Sequence, residues 1–379
     1  MATDLPTDCL ELRSTLADDG IVTLAMRSTS VPEPGDDQVV GRIEAAPINP
    51  SDLGMLFAGG DTSAGVAGGD GALAAVAVPV GPAALAAQAA RIGRAMPTGN
   101  EGAGVVVAAG SSPAAQALLG TVVGFLSGSA YAQYRTLHVS QCLPMPDGTD
   151  PVDAAAAFVN PLTALGMVET MRIEGHRALV HTVGASNLGQ MLNRICLDDG
   201  VGLVNIVRRP EHVELLRGQG AEHVVDSSAG TFVDDLTEAL RTTGATIAFD
   251  AIGGGEIASV LLSRMEKVAS EQAGDFNRYG SDTHKQVYIY GGLDRGPTTL
   301  RRDFGMSWGI GGWLLTPFLA RIGQESADRL RRRVADEITT TFASSYGLRL
   351  SLADTVDPAN VARYGRMATG DKAVVLPHA

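Results

Sequence analysis

The stretch that decides the fold is Leu179-Val-His-Thr-Val-Gly184-Ala-Ser-Asn-Leu-Gly189, followed shortly by Leu203-Val-Asn-Ile-Val207-Arg208-Arg209-Pro210. The pattern predicts an apolar strand, a tight turn of small residues, a helix, and a second strand that ends in paired arginines. Such a turn lets the backbone approach a pyrophosphate, and the helix N-terminus offers N–H donors and a positive dipole end. We expect Ser186, Asn187 and Leu188 to begin that helix. The two stretches together predict a dinucleotide-binding unit.

The end of the second strand indicates which dinucleotide binds. An acidic residue there accepts a hydrogen bond from a free ribose 2′-hydroxyl, whereas arginine pairs with a 2′-phosphate. Arg208 and Arg209 stand at this position, so we expect NADPH as the cofactor. The glycine spacing, Gly184 to Gly189, departs from the usual G-x-G-x-x-G pattern. The alternative interpretation is therefore a generic strand–helix–strand unit with two surface arginines.

Length and charge limit the possible functions. A chain of 379 residues is long enough for about two domains. Its net charge of −13 argues against binding to nucleic acid or an anionic membrane, since both require a basic face. The hydrophobic stretch at 310–320 is interrupted by glycine and proline and is too short to span a bilayer.

The cysteines and the first residues favour a cytoplasmic protein. The 3 cysteines are scattered and form no C-x-x-C pair, which fits a reducing compartment. The N-terminal residues lack the apolar core of a signal peptide. No cluster of Cys and His with metal-ligand spacing appears in the sequence.

The first third of the chain is β-prone. Short runs at Val39–Ala46, Gly104–Ala109 and Gly120–Phe125 are cut by glycine and proline, which predicts a curled antiparallel sheet or partial barrel. The segment Thr62–Met96 differs, because it is Gly/Ala-rich and then strongly helix-forming from Pro82 to Ile92. We interpret it as an insertion with its own helix.

From about Asp153 the pattern changes to alternating helices and strands. An Ala-rich helical stretch runs from Asp153 to Met171, and Asn160-Pro161 inside it predicts two helices instead of one. The alternation that follows predicts a doubly wound parallel sheet. A final strand, Ala373–Pro377, has no evident place in that sheet and is expected to return to the first domain. The alternating segments are Ala178–His181, Leu188–Cys196, Leu203–Val207, Pro210–Gln219, His223–Asp226, Phe232–Thr242, Ala245–Ala251, Glu256–Met265 and Gln286–Tyr290.

Five motifs occur in an order that resembles a known family. They resemble the zinc-independent quinone oxidoreductase and 2-enoyl thioester reductase branch of the medium-chain dehydrogenase/reductases, over nearly the whole chain except 62–96. The resemblance implies an α/β fold, a Rossmann-type doubly wound parallel sheet plus a GroES-like β-rich domain. The motifs are Ala45-Ala-Pro-Ile-Asn49-Pro-Ser-Asp52, Gly99-Asn100-Glu101-Gly102, Val159-Asn160-Pro-Leu-Thr163-Ala, Asn205-Ile-Val-Arg208-Arg-Pro and Tyr290-Gly291-Gly292.

The resemblance also implies domain limits and an assembly. Residues 1–158, with the insertion 62–96, would form the GroES-like substrate domain, and 159–318 would form the NADPH-binding domain. Residues 319–379 would return to the first domain. A homodimer is expected, with a small-molecule acceptor as the other partner.

Several residues are candidates for cofactor contacts. Asn49 would meet the ribose or the substrate oxygen, or else cap a turn. Asn160 and Thr163 would face the nicotinamide ribose and amide, or else begin a helix. Lys372 would reach the 2′-phosphate, or else be a surface lysine. The expected cofactor-binding set is Asn49, Asn160, Thr163, Ser186, Asn187, Leu188, Arg208, Arg209, Ile252, Gly253, Tyr290, Gly291, Gly292 and Lys372.

Two departures from the resembled family bear on the chemistry. Zinc-dependent relatives place soft ligands where this chain has the Asn49–Asp52 segment, Asn100 and Asn160, so no metal is expected. Enoyl thioester reductases carry a tyrosine, a presumed proton donor, eleven positions after the motif asparagine, and here that position is Gly60.

The missing tyrosine leaves three functions open. The donor would be Tyr131, Tyr134 or water, or a quinone would take its proton from solvent; Asn49 and Tyr131 are the catalytic candidates. We expect an NADPH-dependent reductase of quinones or other activated enones. The alternatives are an enoyl thioester reductase and a non-catalytic NADPH-binding redox sensor. The insertion is expected to cover the substrate side of the nicotinamide site.

Overall fold

The computed structural model describes residues 5–68, 73–274 and 276–379, so part of the predicted insertion (69–72) lies outside the described residues. The chain divides into two compact units. The first unit comprises residues 1–159 and 331–379, and the second unit comprises residues 160–330. The second unit therefore extends to Leu330, beyond the predicted limit at 318.

The elements are numbered in chain order. The strands are β1 (Asp8–Leu16), β2 (Ile21–Ser30), β3 (Gln38–Pro47), β4 (Val66–Gly68), β5 (Ala75–Pro79), β6 (Ala95–Pro97), β7 (Glu101–Ala109), β8 (Val122–Leu126), β9 (Tyr134–His138), β10 (Cys142–Pro144), β11 (Ala178–Thr182), β12 (Gly202–Val207), β13 (His223–Asp226), β14 (Ile247–Asp250), β15 (Gly253–Gly255), β16 (Lys285–Ile289), β17 (Asp294–Thr298), β18 (Trp308–Gly312), β19 (Leu348–Leu350) and β20 (Ala373–Val375). The helices are α1 (Pro50–Phe57), α2 (Pro82–Ala87), α3 (Pro113–Gln116), α4 (Pro151–Ala154), α5 (Val159–Ile173), α6 (Asn187–Asp199), α7 (Pro210–Gly218), α8 (Phe232–Thr243), α9 (Ile257–Ala273), α10 (Leu315–Ile322), α11 (Gln324–Asp336), α12 (Leu352–Thr355) and α13 (Pro358–Gly365).

The first unit contains two β-sheets. One has the order β4-β5-β2-β1-β6, and its neighbours pair antiparallel. The other has the order β10-β8-β7-β3-β20-β19, and β9 also pairs with β3. A shared core of side chains, including Leu12, Val22, Ile43, Phe125 and Val375, is buried within this unit. The β-rich first domain that the resemblance implied is therefore present.

The segment 62–96 contributes strands to this sheet, which was not predicted, and it contains a helix that begins at Pro82 as predicted. β5 pairs with β2 from Ile21↔Pro79 to Ala25↔Ala75, and β6 pairs with β1. The helix α2 is shorter than expected, and a 3-10 helix at Ala89–Arg91 follows it. The alanine content correctly predicted a helix at Pro82–Ala87. The strands β5 and β6 of the same segment form because they pair with β2 and β1.

The last strand completes the other sheet of the first unit. β20 pairs parallel with β19 and antiparallel with β3, through Val374↔Pro47 and Val375↔Ala46. This strand therefore lies outside the parallel sheet of the second unit, because its partners are β3 near the start of the chain and β19 near its end.

The second unit is built on a six-stranded parallel sheet of order β13-β12-β11-β14-β16-β18. Numbered within the unit, this order is 3-2-1-4-5-6, the doubly wound arrangement of dinucleotide-binding folds. The predicted α/β fold class is confirmed. The break predicted near Asn160 lies between α4, which ends at Ala154, and α5, which begins at Val159. Across the described ranges, none of the helices has the length and apolar character needed to cross a membrane.

Candidate nucleotide-binding site

The turn that follows β11 is packed too closely for ordinary side chains at two positions. A Cβ atom on Gly189 would lie 2.2 Å from the carbonyl oxygen of Gly184, and one on Gly184 would lie 2.9 Å from Oδ1 of Asn205. The Gly184 amide donates to the carbonyl of Ile206 at 2.9 Å. Gly189 is therefore required by close backbone approach, and Gly184 by the side chain of Asn205 packed against it.

The helix that follows this turn presents a capped N-terminus. Ser186 is the N-cap of α6, and its hydroxyl accepts a hydrogen bond from the Gly189 amide at 3.1 Å. Asn187 and Leu188 form the first turn, as expected. Close backbone approach and a helix N-terminus together make a cradle that suits a phosphate group.

The paired arginines follow the neighbouring strand. β12 ends at Val207, and both Arg208 and Arg209 are exposed. Arg209 is the N-cap of α7, and its Nη1 lies 3.7 Å from Oε1 of Glu211. Exposed ion pairs of this length are weak, so the guanidinium groups can exchange such a contact for a phosphate.

A buried carboxylate fixes the turn after β14. Oδ1 of Asp250 accepts from the Thr182 hydroxyl at 2.9 Å and from the Ile252 amide at 2.9 Å, and Oδ2 accepts from the Gly253 amide at 3.1 Å. Gly253 has φ = 84°, which favours glycine. Asp250 and Thr182 were not predicted, although a polar residue at the end of each of two adjacent apolar strands is a signal that could have indicated them.

A tyrosine–histidine pair lies at the end of β16. Nε2 of His181 lies 2.7 Å from the Tyr290 hydroxyl; His181 is fully buried and Tyr290 is half-buried. Burial lowers the pKa of His181 to about 3, so its ring is neutral. Burial, and then the charge of Asp250, raise the pKa of Tyr290. Nδ1 of His181 is buried and has no hydrogen-bond partner among the described residues.

The remaining predicted residues of the second unit lie on two elements. Gly291 is a close-packing position, because a Cβ there would lie 2.6 Å from the carbonyl of Ala251, whereas Gly292 faces open space. Asn160 and Thr163 lie on α5 and are 7% and 6% exposed. The turns after β11, β12, β14 and β16 all follow the carboxyl ends of neighbouring parallel strands, where open α/β sheets bind ligands. The cradle and the two exposed guanidinium groups fit the phosphates of a dinucleotide.

In the first unit, Asn49 begins α1 and is held from two directions. Its amide donates to Oδ2 of Asp52 at 2.8 Å, and its side-chain Nδ2 donates to Oε1 of Glu101 at 2.7 Å. Oδ1 of Asp52 also accepts from the Asn100 amide at 2.8 Å. Burial raises the pKa of Asp52 to about 7. Asn49 therefore does occupy a helix-capping position, which was one of its two predicted roles.

Glu101 is the centre of this buried group. Its Oε2 accepts from the amides of Phe158 and Val159, both at 2.8 Å, while its Oε1 holds Asn49. Burial raises the pKa of Glu101, and the positive charge of Lys372 opposes that rise. Neither Asp52 nor Glu101 was predicted as a site residue. Their carboxylates accept hydrogen bonds from backbone amides that are distant in sequence, and these partners could not be inferred from the sequence.

Comparisons of sequence find partial matches. No family model matches the chain. It is 27% identical over 210 residues to the mitochondrial enoyl-[acyl-carrier-protein] reductase of Xenopus tropicalis, covering 53% of this chain and 51% of that protein. It is 27% identical over 158 residues to a quinone oxidoreductase of Pseudomonas aeruginosa, covering 41% of this chain and 48% of that one. The chain thus spans about half the length of the curated relatives it matches.

Comparisons of structure extend over almost the whole chain. A protein from Mesorhizobium loti, assigned as an NADPH:quinone reductase, matches with a TM-score of 0.73 and 24% identity over 99% of this chain and 100% of that one. A mycobacterial protein solved in complex with NADPH matches with a TM-score of 0.67 and 18% identity, over 97% and 100%. This chain therefore shares the fold of these two solved proteins.

Lys372 directly precedes β20 in the first unit. Its ammonium nitrogen is buried and has no hydrogen-bond partner among the described residues. The nitrogen lies 5.6 Å from the centre of the Tyr346 ring. Burial lowers the pKa of Lys372 to about 8. The alternative of a surface lysine is therefore wrong, whereas contact of Lys372 with a 2′-phosphate stays a prediction.

Tyr131 is not placed as a proton donor. It is fully buried, and its hydroxyl donates to the carbonyl of Pro47 at 3.0 Å. Burial raises its pKa well above the usual value. The other candidate, Tyr134, packs edge-on against the ring of His378. Burial and this hydrogen bond argue against Tyr131 as the donor, and the catalytic roles of Tyr131 and Asn49 stay predictions.

Gly60 has no room for the tyrosine of related reductases. A Cβ atom there would lie 2.7 Å from the carbonyl of Pro79 and 2.9 Å from Cγ1 of Val78. Both neighbours belong to β5. In the part of the chain that the structure describes, no three His, Cys, Asp or Glu residues come close enough to hold a metal ion.

Proposed function

We propose that this chain is a zinc-independent, NADPH-dependent oxidoreductase that transfers hydride to a quinone or another activated enone. One observation carries the proposal. Two exposed arginines follow the second strand of a 3-2-1-4-5-6 sheet, beside the phosphate cradle at the start of α6. NADPH-dependent proteins of the same fold support this cofactor.

The residues of the second unit have separate tasks toward NADPH. The cradle at Gly184 and Ser186 would hold the pyrophosphate, and Arg208 and Arg209 would pair with the 2′-phosphate. The turns fixed by Asp250 and Tyr290 would provide rigid backbone along the same sheet edge. NADPH supplies the hydride, and the protein orients it and excludes water.

The cofactor is tested with an arginine double variant. Arg208→Ala/Arg209→Ala should weaken NADPH binding by about ten-fold or more for each lost charge-assisted contact, and should leave NADH binding unchanged. Arg217→Ala, which removes an exposed arginine from the last turn of α7, is the matched control. Titration by fluorescence or calorimetry gives the dissociation constants. Equal affinity of the unaltered chain for NADH and NADPH would contradict the proposal.

The choice of acceptor rests on Gly60. Because no side chain fits at this position, residue 60 cannot donate a proton to a substrate carbanion. A quinone, or an enone protonated by solvent, does not require such a donor. We therefore favour these acceptors over an enoyl thioester, although one curated relative is named as an enoyl-[acyl-carrier-protein] reductase.

The acceptor is tested with a panel. Purified protein, NADPH and either a quinone, an enone or an enoyl thioester are mixed, and the loss of NADPH absorbance is followed. Rapid oxidation with quinones or enones alone supports the proposal. Preference for the thioester would identify an enoyl reductase, and tight NADPH binding without any acceptor-dependent oxidation would identify a redox sensor.

A homodimer is the second part of the proposal. β18 is an edge strand of the six-stranded sheet, and Leu314, directly after it, is 66% exposed. Open edge strands favour pairing with another chain. Light scattering should give twice the chain mass of 39.2 kDa. Leu314→Lys should reduce that mass, whereas Leu119→Lys, at an exposed leucine of the first unit, should not.

We further propose a cytoplasmic location. The thiols of Cys9, Cys142 and Cys196 are free, which fits a reducing compartment. Fractionation of cells that produce the protein tests this, and recovery outside the cytoplasm would contradict it.

A further inference from the structure

Four amide side chains form a continuous hydrogen-bonded series beneath the turn after β11. Nδ2 of Asn205 donates to Oδ1 of Asn193 at 3.2 Å, and Nδ2 of Asn193 donates to the carbonyl of Gln219 at 3.4 Å. Nε2 of Gln219 donates to Oε1 of Gln190 at 2.7 Å, and Nε2 of Gln190 donates to the carbonyl of Ala185 at 2.9 Å. We call Asn205, Asn193, Gln219 and Gln190 the amide chain. It begins on β12, crosses α6, and ends on the turn itself.

Stability alone does not account for this arrangement. Asn205 is fully buried in an otherwise apolar strand, and Asn193 is 2% exposed. Oδ1 of Asn205 and Oε1 of Gln219 have no hydrogen-bond partner among the described residues. A buried network that is only partly satisfied is less favourable than an apolar core of the same volume. The network therefore has a role other than stability, which lies in the geometry that it imposes on the turn after β11.

The amide chain meets the turn at both ends. At one end, Asn205 packs against Gly184 so closely that a Cβ on this glycine would lie 2.9 Å from Oδ1 and 3.0 Å from Cβ of Asn205. At the other end, Gln190 holds the carbonyl of Ala185. Two consecutive residues of the turn are thus held in place, Gly184 by β12 and Ala185 by α6.

The turn requires contacts of this kind, because its backbone is strained. Val183 has φ = 61°, in the left-handed region that β-branched residues avoid. A conformation of this kind persists only where the surrounding structure enforces it. Val183 directly precedes Gly184 and Ala185, and its carbonyl accepts a hydrogen bond from the amide of the N-cap Ser186 at 3.0 Å.

We propose that the amide chain is a positioning device for turn 183–186, with Asn205 as its principal positioning residue, and that it sets the affinity for NADPH. This inference rests on the proposed function, since the turn is the part of the site assigned to the pyrophosphate. This protein has Val183 and Ala185 in a turn that is usually rich in glycine. The four amide side chains hold those two residues in the required conformation.

The test compares Asn205→Ala with Val204→Ala. Val204 is the preceding residue of the same strand, is fully buried, and packs in a different core cluster from Ala185 of the turn, so its truncation serves as the control for destabilisation. Two properties are measured for each variant beside the unaltered chain. One is hydrogen exchange of the peptide covering 182–190 without cofactor, and the other is the dissociation constant of NADPH. Melting temperatures show whether the two variants lose similar stability.

Asn205→Ala should speed exchange of this peptide and weaken NADPH binding by about ten-fold, while Val204→Ala should shift the dissociation constant by less than about three-fold. Gln190→Ala, at a half-buried position, gives a second variant if Asn205→Ala does not fold, and should act in the same direction. Unchanged exchange and affinity in the folded variants would overturn the inference, as would an equal effect of Val204→Ala.

The experiment separates this inference from the proposed function. If the unaltered chain does not bind NADPH, the proposed function is overturned together with the stated link to affinity. The exchange measurement on the unliganded protein still decides whether the amide chain holds the turn. If NADPH binds and the variants bind it equally well, only this inference fails.

Discussion

Gly60 and Gly54 lie close together in the sequence, yet their surroundings differ completely. A Cβ on Gly60 would lie 2.7 Å from a backbone oxygen of β5, whereas a Cβ on Gly54, inside α1, would meet nothing within 4 Å. A side chain at position 60 must therefore displace backbone, while one at position 54 is free to improve the helix.

Alanine substitutions at these two glycines should have opposite effects. Gly60→Ala should lower the free energy of unfolding by about 1–3 kcal/mol, because the clash is with backbone. Gly54→Ala should raise it by about 0.5–1 kcal/mol, since alanine is the better helix former. Urea denaturation of the two variants measures both values. A neutral effect of Gly60→Ala would show that β5 does not occupy the space beside this loop.

Asp52 should make the stability of the protein depend on pH. Its pKa is raised from the usual 3.8 to about 7 by burial, so between these values the folded state binds more protons than the unfolded state. The contribution of Asp52 to stability therefore falls as pH rises through this range. Relative to Asp52→Asn, the unaltered chain should lose stability from about pH 4 to pH 7 in urea titrations.

The exposed Asp61 provides the control for this experiment. Hydrogen bonds from Ser63 lower the pKa of Asp61, so its small contribution is present at neutral pH and is lost as pH falls. Asp61→Asn should thus shift the profile in the opposite direction or not at all. A pH profile of Asp52→Asn that parallels that of the unaltered chain would mean that Asp52 titrates normally.

At the scale of elements, β5 is an integral strand of its sheet. Val78 on β5 lies opposite Val22 on β2, and both are fully buried. Val66, on the neighbouring strand β4, is 61% exposed. If the segment 62–96 were a detachable cover, the burial of Val78 would contribute little to the stability of the unit.

Truncation of Val78 should therefore cost as much as truncation of its partner. Val78→Ala and Val22→Ala should each lower the free energy of unfolding by about 2 kcal/mol, the cost of removing buried methyl groups from a packed core. Val66→Ala should change it by less than about 0.5 kcal/mol. Thermal or urea unfolding gives the three values, and a silent Val78→Ala would restore the interpretation of the segment as a peripheral cover.

At the scale of the whole molecule, we expect the chemistry to proceed without zinc. Asparagines stand at the sequence positions Asn49, Asn100 and Asn160, and neutral amides are poor ligands for zinc. Elemental analysis of the purified protein should find less than about 0.1 zinc per chain, and a chelator should leave the melting temperature unchanged. One zinc per chain would contradict the expectation, and a zinc-dependent relative treated in the same way is the control.

Much of the second unit could be predicted from the sequence. Apolar runs and helical periodicity located β11, α6 and β12 to within a few residues, and proline and glycine marked their ends. Strands β1 and β2, in contrast, were not predicted. They carry many polar residues, such as Glu11 and Arg13 on β1, whose partners are distant in sequence: Glu11 pairs with Arg135 at 2.5 Å.

The candidate site divides in the same way. Residues whose role depends on chain position, such as Ser186 at a helix start and the arginines at a strand end, were found from the sequence. Residues whose role depends on a distant partner were missed or misplaced. Asp250 needs Thr182, and Lys372 lies against Tyr346.

The sequence by itself determined the alternating helices and strands of the second unit and its doubly wound parallel sheet, because periodicity and turn residues act within a few residues. Only the tertiary structure decided that 62–96 completes a sheet, that Tyr131 and the nitrogen of Lys372 are buried, and that four amide side chains form a hydrogen-bonded series beside turn 183–186. These outcomes depend on which distant segments pack together, and packing is selected by burial and hydrogen-bond satisfaction over the whole unit.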